Sequence, residues 1–204
     1  MKYLDALIIG AGFSGLYQLH CLRDKLKLNT LVVEEGKDIG GTWYWNTYPG
    51  ARCDSESFTY GFTFSEKIFK NWTWKERYPK QNIILKYLKY FSNELKLKKN
   101  IVFNEKVISA KYIEKNNLWK VQTNNKKKYY TKYLICAVGS LSSINLPKIK
   151  GINQFKGQLH HSGRWPRKKI NFKNKIVGQV GTGSTGIQIA PEIAVSYTHL
   201  RAHE

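Results

Sequence analysis

Three cysteines, Cys21, Cys53 and Cys136, are all that this chain of 204 residues contains, and they are odd in number, isolated and without metal-ligand spacing. That argues against both a disulfide framework and a zinc site, and a reduced, intracellular setting is expected. No apolar run approaches the ~18 residues that a membrane span needs. The first strand-like run begins almost at Met1, which leaves no room for a signal or transit peptide, so a cytoplasmic protein with no membrane partner is expected. Acidic residues are also scarce: 14 Asp and Glu face 34 Lys and Arg, a formal net charge of +20. Clustered, such a charge would be a nucleic-acid footprint. Here the lysines are spread from Lys2 to Lys175 among many Asn and Ile, the mark of a general residue bias, and no specific nucleic-acid partner is expected. The run Lys126-Lys127-Lys128 lies between two strand-like segments and reads as a solvated hairpin turn. The surplus charge would still draw anionic ligands.

Against these absences stand two glycine-rich loops. Gly10-x-Gly12-x-x-Gly15 follows the apolar run Leu4 to Ile9, and Gly181-x-Gly183-x-x-Gly186 follows Lys175 to Val180. Each is a strand-loop-helix unit suited to a dinucleotide pyrophosphate, whose charge would sit on backbone amides at a helix N-terminus. The first loop has an independent check, because about 20 residues further on such a site should carry an acid at the end of the second strand to bind a ribose hydroxyl. Leu31-Val32-Val33-Glu34 supplies it. Between them Leu16, Leu19, Cys21, Leu22 and Leu26 mark one buried helix face from Phe13 to Leu26. Two dinucleotide loops on one chain imply electron transfer between two cofactors.

A hydrophobic content of 42%, with 14% aromatic, is enough for a core, and the length suits one large domain or one and a half. From Gly40 to Phe64 runs a long loop with six aromatics between Trp43 and Tyr60, a composition expected to cover a flat ligand. Ile83, Ile84, Tyr87, Leu88, Phe91 and Leu95 then predict an amphipathic helix from about Lys80 to Leu97. Segments near Val107 to Ile113, Leu118 to Thr123 and Tyr129 to Val138 predict a three-stranded β-meander, with a hairpin at Asn116-Asn117 and a small-residue turn at Ala137-Val138-Gly139.

The stretch Phe155-x-Gly157-x-x-x-His161-x-x-x-Trp165-Pro166 matches the fingerprint of Baeyer–Villiger monooxygenases, within the flavin-containing monooxygenase superfamily; the N- and S-oxygenating relatives end theirs in tyrosine or phenylalanine. Gly40 to Asn46, Tyr48 to Asp54 and Glu56-Ser57 resemble the flavin-side loop of these enzymes, and Trp74-x-Glu76-Arg77-Tyr78-Pro79-x-Gln81 resembles the stretch that follows it. Arg167 departs from the family, which often has an acidic residue or histidine there.

The resemblance implies an α/β fold: a Rossmann-like FAD-binding domain with the β-meander over residues 1–150, a linker carrying the fingerprint over 151–174, and the start of a second Rossmann-like, NADP-binding domain over 175–194. It implies an enzyme that takes a hydride from NADPH onto FAD and inserts one atom of O2 into a small-molecule ketone, giving an ester or lactone. Carried over, Gly10, Gly12, Ser14 and Gly15 would hold the FAD pyrophosphate and Glu34 its ribose, while Gly41, Thr42, Trp43, Tyr44 and Trp45 would line the flavin. Asp54 and Tyr60 would lie near the isoalloxazine, Val107 would meet the adenine through its backbone, and Ala137 and Gly139 would approach the cofactor. Gly181, Thr182, Gly183, Ser184, Thr185, Gly186 and Gln188 would bind NADPH phosphates, with Arg52, Cys53 and Asp54 bordering the nicotinamide. Asp54 is the one catalytic candidate: an anion develops beside the flavin and needs a fixed cation oriented by a carboxylate. The resemblance implies that the arginine that plays the cation in the family is missing from this chain. From the residues alone, a loop carboxylate capping nearby amides is the favoured account of Asp54; the resemblance is what favours the functional role. His161 reads as an organiser of domain movement rather than a general base, Trp165 as a packing anchor for the linker, and His20, on the first helix, as a surface or boundary residue rather than a ligand.

After Ala194 the sequence Val195-Ser196-Tyr197-Thr198-His199-Leu200-Arg201-Ala202-His203-Glu204 resembles translated cloning adaptor and is expected to be a non-native tail. A βαβ unit needs about 30 residues and a second strand, so the second dinucleotide unit is expected to be incomplete and the chain an inactive fragment. Three other readings stay open: a flavin-dependent N- or S-oxygenase, a non-catalytic FAD-binding module, and a nucleic-acid-binding protein.

Overall fold

A computed structural model describes residues 2–195 and 200–203. In chain order the elements are β1 (Lys2–Ile9), α1 (Phe13–Leu19), β2 (Thr30–Val33), α2 (Thr42–Trp45), α3 (Glu66–Lys70), α4 (Gln81–Glu94), β3 (Ile101–Val102), β4 (Val107–Ile113), β5 (Leu118–Thr123), β6 (Lys128–Cys136), β7 (Val177–Val180), α5 (Ser184–Ala194) and β8 (Leu200–His203). They fall into two units, residues 1–44 with 85–142, and residues 45–84 with 143–204.

The first unit is built on one sheet in the order β3-β2-β1-β6-β5-β4. The nearly continuous apolar runs of β1 and β2 are those of strands covered on both faces; Leu4, Ala6, Leu7 and Ile8 are buried, as is all of β2. β1 pairs in parallel with β2 and β6, and β2 with β3. The expected meander is present, with β4-β5 and β5-β6 antiparallel, but β6 also joins the parallel sheet beside β1. Both expected turns form at positive φ: Asn117 at +50° between β4 and β5, and Lys126 at +61° between β5 and β6. Leu4, Leu7, Leu31, Val33, Val121 and Tyr129 make a core cluster against which Val107 packs.

The sequence predicts one helix from Phe13 to Leu26; α1 instead widens over His20–Lys25, where the Leu26 amide donates to the Cys21 carbonyl five residues back at 3.0 Å. The widened turn carries Arg23, which donates to the carbonyls of Leu95 (2.7 Å) and Lys96 (3.1 Å) and so satisfies carbonyls at the end of α4. His20 bonds Asp24 at 2.9 Å, as a boundary residue should. α4 is shorter than its pattern and buries Ile84, Tyr87, Leu88 and Phe91 at helical spacing; the chain turns away at Lys96, φ +50°.

Below the core, Glu105 is buried and accepts hydrogen bonds from Thr123 Oγ1 (2.9 Å), Tyr129 OH (3.0 Å) and Lys127 Nζ (2.7 Å), which ties β5 and β6 to the strand connection ahead of β4. Burial alone would raise the Glu105 carboxyl, but bonds from Lys127, Thr123 and Tyr129 outweigh it and hold it below its ordinary value of 4.5. Burial, then the bond to Glu105, pushes the Tyr129 phenol up to about 12. The signs give a two-sided stability profile. The Glu105 contribution is complete above its unfolded value and is lost as pH falls through the depressed folded one. The Tyr129 contribution is complete below its unfolded value of 10 and is lost as pH rises toward about 12. Glu105→Gln, which cannot accept from all three donors, is expected to cost about 2–3 kcal/mol in urea unfolding at neutral pH and to flatten the acid limb.

In the second unit, residues 51–57 lie against 77–81. The Cys53 amide donates to the Pro79 carbonyl (2.9 Å), the Gln81 amide to Ala51 (2.8 Å) and the Ser57 amide to Arg77 (2.7 Å). The two family-like stretches, 48–57 and 74–81, thus brace each other; Arg77 Nε adds a 2.6 Å bond to Glu56. α5 buries Ile189 and Ile193, and β8 pairs in parallel with β7, Val177 to Val180 against Leu200 to His203. The sequence expects no second strand here; the structure closes a minimal βαβ unit with one. The remaining tail residues, 196–199 and 204, lie outside the described residues. Among the described residues no helix is long and apolar enough to cross a membrane, and no group of three His, Cys, Asp or Glu could hold a metal ion.

Candidate functional site

The two glycine loops have one geometry. Gly10 leaves β1 at φ +100° and Gly181 leaves β7 at φ +104°, a backbone that a side chain strains. A Cβ on Gly15 would overlap the Gly10 carbonyl, and one on Gly186 the Gly181 carbonyl, so each helix packs against its own turn only as glycine. Gly12 and Gly183 are the N-caps of α1 and α5 and bring no side chain to the first-turn amides. Those amides, at the positive end of the helix, are what an anion needs.

Around the first loop the sequence-predicted residues converge. The Gly40 amide donates to the Ala11 carbonyl (2.9 Å), and Gly41 lies so close to Gly12 that a Cβ would stand 2.8 Å from its Cα. Ala137, whose amide donates to Ile9 O at 2.9 Å, lies against Gly10 and Gly15; Gly139 is exposed at φ +72° just beyond. Glu34 is buried and bidentate: Oε2 accepts from the Ala11 amide at 2.6 Å and Oε1 from the Gly36 amide at 2.7 Å. Each oxygen keeps a lone pair, so the carboxylate is pre-set rather than spent. Ser14 is exposed on the first turn, and Val107 opens β4 at a bulge between Val107 and Ser109.

The Tyr44 hydroxyl accepts from the Lys37 amide at 3.2 Å and its ring packs over Gly36, while Trp43 is buried; Thr42 and Trp45 are exposed. Cys53 is buried and burial pushes its thiol above the ordinary value, which makes it a poor nucleophile. Tyr60 ends a short turn at Ser57–Thr59, its amide donating to the Ser57 carbonyl.

In the second unit Thr182, Gly183 and Ser184 are exposed on the loop, and a Cβ on Gly183 would meet open space. Gln188, expected among the phosphate ligands with Thr185, instead turns its amide onto the loop 48–54. Its Oε1 accepts from Tyr48 OH (2.9 Å) and the Arg52 amide (3.2 Å), and its Nε2 donates to the Arg52 carbonyl (3.2 Å) and Asp54 Oδ1 (3.3 Å). Nothing in the sequence signals that set of bonds, which joins residues more than 130 positions apart. Asp54 is exposed, and its carboxylate accepts this bond from the Gln188 side chain.

The fingerprint residues make local contacts. His161 Nδ1 accepts from the Gly163 amide at 3.1 Å, and Trp165 lies between the rings of His160 (5.7 Å) and Phe172 (6.1 Å). Phe155 is exposed and packs over Gly157.

Residues 5–200 match the family model described as flavin-binding monooxygenase-like. The chain belongs to that family. Among family members it is 44% identical over 196 residues to a cyclohexanone 1,2-monooxygenase of an Acinetobacter species and 43% identical over 196 residues to a Baeyer-Villiger monooxygenase of Pseudooceanicola batsensis, in each case covering 96% of this chain and 36% of the relative. The crystal structure of a cyclohexanone monooxygenase from Rhodococcus sp. Phi1 bound to NADP+ superposes with a TM-score of 0.94 at 40% identity, over 100% of this chain and 38% of the other. The chain thus spans little more than a third of the length of these family members.

Proposed function

We propose that this chain supplies the FAD-binding part and the nucleotide loop of an NADPH-dependent Baeyer–Villiger monooxygenase. The overall reaction would be ketone, O2, NADPH and a proton giving ester or lactone, NADP+ and water. The observation that carries the reading is the paired loop geometry, two turns with the same positive-φ first glycine and the same glycine-only helix contact, on a chain that also bears the Phe155 to Pro166 fingerprint.

The residues present fit both cofactors. Bound flavin supplies the redox chemistry, accepting a hydride and delivering electrons to O2. The amides after Gly12 would take the FAD pyrophosphate and Glu34, already fixed by Ala11 and Gly36, would accept from a ribose hydroxyl. The amides after Gly183 would take the NADPH pyrophosphate, with Ser184 and Thr185 beside them. Asp54 would orient a cation supplied from outside this chain and so hold positive charge where an anion forms. A cytoplasmic setting fits this chemistry, since the cysteines are free.

A second reading, N-oxygenation, is favoured by one observation: this chain is also 41% identical over 186 residues to a phenazine N-monooxygenase of Lysobacter antibioticus. Product analysis decides. With NADPH, FAD and O2, the full reading frame containing this chain is offered cyclohexanone, a tertiary amine and a sulfide in competition. Lactone as the main product is the expected result; N-oxide or sulfoxide without lactone would replace the first reading by the second.

A further inference from the structure

We propose that Gln188 is a positioning residue for Asp54, coupling occupancy of the Gly181 to Gly186 loop to the loop that carries Asp54. This rests on the reading of Gly181 to Gly186 as the site of a second dinucleotide, and goes beyond it by giving Gln188 a different task from phosphate binding.

The geometry is specific. A glutamine amide has one carbonyl with two lone pairs and two N–H donors. Here the carbonyl is saturated by Tyr48 OH and the Arg52 amide, and the two donors point to the Arg52 carbonyl and Asp54 Oδ1. The side chain has nothing left to give a phosphate. Gly50, at φ +76°, lets the same loop touch the helix backbone: a Cβ there would overlap the Gln188 carbonyl and stand 3.0 Å from Glu192 Cγ. The loop 48–54 is thus seated on the second turn of α5, whose first turn presents the amides of the glycine loop. Ordering of that first turn by a pyrophosphate is passed along one rigid helical turn to the side chain that holds Arg52 and Asp54. Coupling of this kind is reciprocal and typically worth ~5-fold or more in either equilibrium.

The test is amide hydrogen exchange of the 204-residue chain with and without NADP+, in the wild type and in Gln188→Met, which keeps length and helix propensity but removes all four bonds. Tyr48→Phe, which removes a single bond, is the milder second variant should Gln188→Met fail to fold. In the wild type NADP+ is expected to slow exchange at 181–186 and, by about 5-fold or more, at 51–54. In Gln188→Met the protection at 181–186 remains while that at 51–54 disappears, and in Tyr48→Phe it is reduced. A residue with only a structural role would change the exchange without nucleotide but not its response to nucleotide. Equal protection of 51–54 in wild type and both variants, or protection of 181–186 alone in the wild type, overturns the coupling and leaves the second nucleotide site standing. No protection of either segment in the wild type overturns both.

Discussion

Gly15→Ala is expected to abolish FAD binding and to unfold much of the first unit, whereas Gly183→Ala leaves the fold intact and weakens only the second nucleotide. The two positions hold different ranks in the same motif, and the structure says what each added methyl would meet. At Gly15 it would overlap the backbone carbonyl of Gly10, and that backbone cannot yield without opening the contact between α1 and the turn that leaves β1. At Gly183 it would meet open space in the protein, and only a bound pyrophosphate would feel it. Thermal melts should show Gly183→Ala within a few degrees of the wild type and Gly15→Ala strongly lowered. Flavin fluorescence should show at least about 100-fold weaker FAD binding for Gly15→Ala, the ~3 kcal/mol that a lost packing contact costs. A Gly15→Ala chain that melts and binds FAD like the wild type would show the loop geometry to be wrong.

The second large effect concerns Glu34. Its two oxygens accept from two backbone amides in a site that is 5% exposed, which fixes the end of β2 to the first glycine loop. Glu34→Gln keeps the shape but turns one acceptor into a donor facing an N–H, leaving a buried amide unpaired at a cost of about 1–3 kcal/mol. The same change removes the charged acceptor for a ribose hydroxyl, worth roughly 1.5–3 kcal/mol. The expected result is therefore a double loss, in stability by urea unfolding and in FAD affinity by 10- to 100-fold. Loss of stability without loss of affinity would assign Glu34 to the fold alone.

Both effects were legible in the sequence because their signals are local. A glycine at three fixed positions after an apolar run, and an acid at the end of the next strand, name a turn, a helix contact and a carboxylate beside the loop without knowledge of anything distant. Hairpins at Asn117 and Lys126 follow for the same reason. What escaped is what depends on contacts across the chain. β3 is two residues long and exists because Ile101 and Val102 meet β2; no period can be read from two positions. The widened turn after α1 has no sequence pattern of its own, and its Arg23 reaches carbonyls some 70 positions away. β6 looks like the end of a meander but pairs equally with β1. Gln188 lies where a phosphate ligand is expected, and its amide is committed to partners in a loop that only the fold brings near.

The most direct test of the central claim is a titration of the wild-type chain with FAD, followed by quenching of flavin fluorescence and repeated with NADP+ as competitor. The account predicts saturable binding of one FAD per chain that NADP+ does not displace, because each glycine loop holds its own dinucleotide. Absence of flavin binding by chain whose melt shows it to be folded, or full displacement of FAD by NADP+, would contradict it.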